Sequence, residues 1–140
     1  MGRPAVRFAL AAILAHTVVS VVHGEAHRQL GVGLSAWQWW FVGVVIVTAP
    51  FVAGVLLLLG RLRTGGALLA GSMAGSLLFG VYYHFIFSSP DHVSHQPAAG
   101  WGLVFVATSV LLALTEILGF WAGLSAARFR RTDSDPPGNS

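Results

Sequence analysis

The stretch Trp37–Leu59, WQWWFVGVVIVTAPFVAGVLLLL, runs 23 residues without a charged side chain. A helix needs about 20 apolar residues to cross a hydrocarbon core of roughly 30 Å, so this one is long enough to span. Trp37, Trp39 and Trp40 open it as an interfacial aromatic belt. Pro50 sits in its middle, lacks an N–H, and is expected to kink the helix about one turn earlier.

Outward from this segment, 5–23, 67–87 and 101–127 read as three further spans. The whole 140-residue chain is 55% hydrophobic and only 9% charged. A soluble domain carries roughly 25% charged residues, so this chain cannot dress a water-exposed surface. The expected fold is all-α: a four-transmembrane-helix bundle with antiparallel neighbours over 1–131, followed by a disordered polar tail at 132–140 that holds Pro136, Pro137 and Gly138. The glycines near Arg61 and Arg63 predict a tight turn over 61–66 and a hairpin of spans two and three. Gly71 and Gly75 form a GxxxG pair, and Ser72, Ser76, Gly80 and His84 form a parallel ridge. Small residues so placed let helix backbones approach, either inside the bundle or against a partner.

All eight basic residues are arginine. Arg3, Arg7, Arg61, Arg63, Arg128, Arg130 and Arg131 fall on one side of a four-span chain, and only Arg28 falls on the other. The positive-inside rule then puts both termini in the cytoplasm, with the other two loops outside a bacterial inner or plasma membrane. Arginines confined to span ends serve orientation and leave no patch for nucleic acid.

On that threading, His23, His27, His84, His92 and His95 come from separate segments to one depth at the outer face. His16, His23 and His27 also fall within about 40° on one helical face. That phase favours a retained first helix over a cleaved signal peptide, although Arg3 and Arg7 precede the apolar run and Gly24-Glu25-Ala26 offers a cleavage site. Cleavage after Ala26 would instead leave an N-terminal His27 suited to a planar copper set. His23 and His27 are spaced i, i+4, which lets two imidazoles reach one ion. In Ser89–Pro97, an expected helical turn capped by Ser89 places Asp91 and His95 on one face, with His92 beside them.

The expected ligand set for a divalent transition metal is therefore His23, His27, His84, Asp91, His92 and His95, with zinc, copper or iron as the ion. Asp91 serves equally well as an outer carboxylate orienting a ring. A second reading is heme b held by His84 on span three and His16 or His23 on span one. A third is a structural or assembly subunit of a larger membrane complex, as a homo-oligomer or with a partner protein. His16 and Glu116 are the deep polar residues and are read as a proton relay. The absence of cysteine excludes thiolate sites, and no nucleotide cradle or nucleophile elbow is present, so a non-enzymatic role in metal handling, sensing or delivery is expected.

Overall fold

Residues 3–128 are described by a computed structural model, in which the chain forms four long helices and no strand among the described residues. Arg130, Arg131 and the expected disordered tail at 132–140 lie outside the described residues. We number the helices α1 (Arg3–Leu30), α2 (Ala36–Leu58), α3 (Leu62–Ile86) and α4 (Trp101–Ala127); each is long and apolar enough to cross a membrane. The expected four-span helical bundle is thus present. Large apolar side chains such as Leu14, Val21, Val55, Leu58, Leu78 and Leu114 lie on its outside, as lipid contact requires.

The helices follow one another up and down. α4 packs extensively on both α3 and α1, α3 packs on α2, and α1 touches α2 only lightly. One end of the bundle carries the start of α1, the α2–α3 turn and the finish of α4; we call this the terminal end, and the opposite one the loop end. The apolar core lies toward the terminal end and comprises Ala9, Ala12, Ile13, Ala53, Leu57, Leu69, Met73, Ala122 and Ala126. Alanine and glycine dominate here because no hydrophobic force drives helices together inside lipid. Close backbone approach with van der Waals packing does the work instead.

The α2–α3 turn is shorter than the sequence suggests. It occupies Leu59–Arg61, with Gly60 at φ +77°, and α3 is already helical at Leu62. Gly65 and Gly66, expected in the turn, are buried in the first turns of α3. A Cβ on Gly66 would lie 2.5 Å from Ala127 N and 2.6 Å from Gly123 O. These glycines let α3 meet α4 backbone to backbone. The helix seam is therefore built by Gly66, Gly119 and Gly123 rather than by the Gly71–Gly75 pair. Gly71 has open space where a Cβ would go, and Gly75 meets only the side chains of Val45 and Phe41.

Two helices widen to π geometry toward the loop end. In α2 this covers Val42–Thr48, immediately before Pro50. The missing N–H of Pro50 leaves the preceding turn without its usual donor, and the widened register accommodates that loss where a kink was expected. In α3 it covers Tyr82–Ile86 and includes His84.

Candidate metal centre

α1 continues as a helix past His23, where the expected first span ends, and stops at Leu30. Gly31, at φ +67°, terminates it: Val32 N–H donates to His27 O at 3.1 Å, and Gly31 N–H reaches Arg28 O at 3.4 Å. This is the Schellman pattern, which satisfies the last carbonyls of a helix. The extra turn keeps His23 and His27 on one helical face and folds the Val32 carbonyl back over the His27 ring.

Three rings from two helices meet at the loop end. Each of His23, His27 and His84 offers a nitrogen, and these nitrogens lie within 4.8 Å of one another. His23 and His84 are buried, and His27 is mostly so. Phe105 of α4 packs against all three rings.

Carbonyl partners fix which nitrogen of His27 and His84 carries the proton. Thr108 Oγ1 lies 2.8 Å from His23 Nδ1 and 2.7 Å from Val104 O, and when its proton goes to Val104 O it accepts from His23 Nδ1–H. Carbonyls can only accept, so His27 Nδ1–H donates to Val32 O at 3.2 Å and His84 Nδ1–H to Asp91 O at 3.1 Å. In that arrangement all three Nε2 atoms keep lone pairs. His27 Nε2 nevertheless lies 3.2 Å from His23 Nε2. It also lies 3.2 Å from Asp91 Oδ1. That oxygen is buried and accepts no hydrogen bond among the described residues, despite His84 Nδ1 at 3.5 Å. In that arrangement electron-rich atoms face one another with no proton between them.

Asp91 reaches this point from the α3–α4 loop. Its backbone N–H donates to Ser89 Oγ at 3.2 Å, and His92 N–H donates to Ser89 O at 3.0 Å. The loop then re-starts as a separate short 3-10 turn at Val93–His95. This differs from the single helical turn expected over Ser89–Pro97: two turns, out of phase, aim Asp91 inward and leave His95 exposed. The structure does not bring His92 or His95 into the group of rings. His92 Nδ1 caps the 3-10 turn by accepting from Ser94 N–H at 3.1 Å, and His95 Nδ1–H donates to Ser89 O at 2.6 Å.

His16 and Glu116 are both buried deeper in the bundle. They do not pair with each other. His16 Nε2–H donates to Ile46 O at 3.3 Å, while its Nδ1 has no partner among the described residues. Glu116 Oε1 accepts from Ser76 Oγ across α3 and α4.

The sequence reading missed Thr108 as the acceptor that orients His23. The chain matches no protein-family model, no curated protein and no solved structure. The chemistry of the site accordingly rests on its geometry.

Proposed function

We propose that this chain is a multi-pass membrane protein that binds one divalent transition metal ion through His23, His27 and His84, with Asp91 as the carboxylate beside them. The observation that carries this reading is the convergence of three imidazole nitrogens within 4.8 Å of one another. With Nδ1–H on both rings, the Nε2 lone pairs of His23 and His27 face each other at 3.2 Å, and a shared cation removes that repulsion. A ring whose other nitrogen donates to a hydroxyl or carbonyl is held in one tautomer and orientation, the usual support for a metal-bound imidazole. The unsatisfied Asp91 Oδ1 adds negative charge at the same point. Nitrogen donors with one carboxylate and no thiolate suit zinc, copper(II) or iron(II).

Heme b is the weaker reading. The His23 and His84 rings are in edge contact with centroids 4.9 Å apart, and a macrocycle cannot enter between touching rings. The assembly-subunit reading draws on no contact in the structure beyond the free space at Gly71.

We further propose that the arginine pattern puts the loop end outside the cell, so the ion exchanges with the exterior and the role is metal handling, sensing or delivery. Two measurements test this. Purified protein loaded with zinc should hold one ion per chain, and the His23→Ala/His27→Ala double variant should hold none; equal zinc in both removes the proposal. Because the chain has no cysteine, Ser94→Cys is a clean topology reporter. A membrane-impermeant maleimide added to intact cells should label it, and labelling only after lysis reverses the orientation.

A further inference from the structure

A cavity of about 390 Å³ lies directly beneath the three rings, between α1, α2 and the α3–α4 pair. Its size falls within the roughly 300–1,000 Å³ typical of small-molecule sites. The walls are mainly apolar and include Trp39, Val42, Ile46, Phe79 and Leu112. Gly24 of α1 and Val47 of α2 line it and are exposed, which brings the cavity to the surface along the lightly packed α1–α2 seam. The contact of His16 with Ile46 O closes the seam below.

Besides Ser20 and Arg28 of α1, two buried polar poles interrupt these walls. One is the histidine cluster. The other is Glu116, which is oriented by Ser76 through Oε1 and turns Oε2 toward Gly80. Gly80 separates the poles: the position a Cβ would take there lies 3.9 Å from Glu116 Oε2 and 3.9 Å from His84 Cδ2. The carboxyl and the imidazole edge are thus no farther apart than twice that distance. Any side chain at position 80 would narrow the gap, and the chain has glycine.

An apolar cavity of this size does not favour water, which needs several polar partners per molecule. An acyl chain would fill the walls but leave both poles unused. A planar ring with an oxygen on each of two opposite edges uses all of it: apolar faces against Trp39 and Phe79, one oxygen toward the cluster, and the other toward Glu116. We propose that the cavity binds a membrane-soluble quinone or hydroquinone, entering from the bilayer between α1 and α2. The inference rests on the metal reading at one pole only, where the ring oxygen meets the ion held by the imidazoles.

The test uses the full chain in lipid nanodiscs, with zinc stoichiometry measured on every sample. Duroquinone is titrated by calorimetry against wild type, against Val42→Trp, which fills the cavity from α2, and against Glu116→Gln, which keeps the shape of the inner pole. Durene, the same ring without oxygens, is the control ligand. The expected result is saturable binding of one duroquinone per chain above empty nanodiscs, weakened at least tenfold in Val42→Trp with zinc unchanged. Glu116→Gln should weaken it several-fold, and durene should bind at least tenfold more weakly than duroquinone. One zinc per chain without saturable duroquinone binding overturns the inference and leaves the metal reading standing. Equal binding of durene, or of duroquinone to Val42→Trp, also overturns it. Saturable duroquinone binding in a chain that takes no zinc overturns the metal reading instead and retains the cavity.

Discussion

The two halves of this bundle are built from the same four helices and follow opposite rules. At the terminal end, α3 and α4 meet backbone to backbone at Gly66 and Gly123, and Gly119 lies against the Met73 side chain. The core there is apolar apart from Ser72. Toward the loop end two helices widen to π geometry, and the space between the helices holds three imidazoles, two carboxyls and a cavity. The terminal half is organised for stability and the loop half for binding. Tight packing in one half can support the partly unsatisfied polar groups in the other.

The sharpest way to break this comparison is at the seam. A side chain at Gly66 or Gly123 would press on backbone atoms 2.5–2.7 Å away, and backbone cannot move aside as a side chain can. Overpacking generally costs about 1–3 kcal/mol, occasionally more. Gly66→Leu should exceed that range and yield little monodisperse protein on size exclusion. Gly119→Ala should fold with a lowered Tm, because it meets only the flexible side chain of Met73. If both variants fold like wild type, the terminal half is not the stabilising one.

Next in size is loss of the ion. Zinc at 100 times its Kd stabilises a protein that binds it only when folded by about 2.7 kcal/mol, seen as a raised Tm. Wild type should show that rise and reverse it with a chelator, whereas His23→Ala should show neither. A smaller effect is expected one layer out. Thr108→Val removes the acceptor for His23, and Asp91→Asn removes the charge beside His27; each should weaken zinc binding about 10–100-fold in competition titrations. The smallest effects mark the boundary of the site. His92→Ala and His95→Ala should leave zinc affinity within about twofold, since both rings serve the loop. Gly71→Ala should shift stability by less than about 0.5 kcal/mol, as substitutions away from special contacts do. A large loss at His95 would mean that the loop rearranges to ligate and that the site extends beyond the buried rings.

Much of this was legible in the chain. Four spans follow from long uncharged runs, because the bilayer sets a length that few other structures need. His23 and His27 are spaced for a shared ion by helical geometry alone. Depth along the helices brings His84 and Asp91 toward them. The same argument could not separate Asp91 from His92 and His95, because residues one to four apart in an irregular loop have no fixed phase. The start of α3 was misplaced for a related reason: Gly65 and Gly66 read locally as turn residues, yet a glycine needed for a neighbouring helix looks identical in sequence. The partners of His16 and Glu116 were hidden too, since each is supplied by a helix whose rotation the sequence leaves open.

The amino-acid sequence by itself determined that four helices cross a bilayer and that imidazoles gather toward one end, since hydrophobic length and helical period are local properties. Only the tertiary structure decided which rings face one another, which nitrogens keep their lone pairs, and that a cavity joins them to Glu116. Those outcomes depend on helix rotation, on two π-helical segments and on the direction of a loop, all set by packing between residues far apart in the chain.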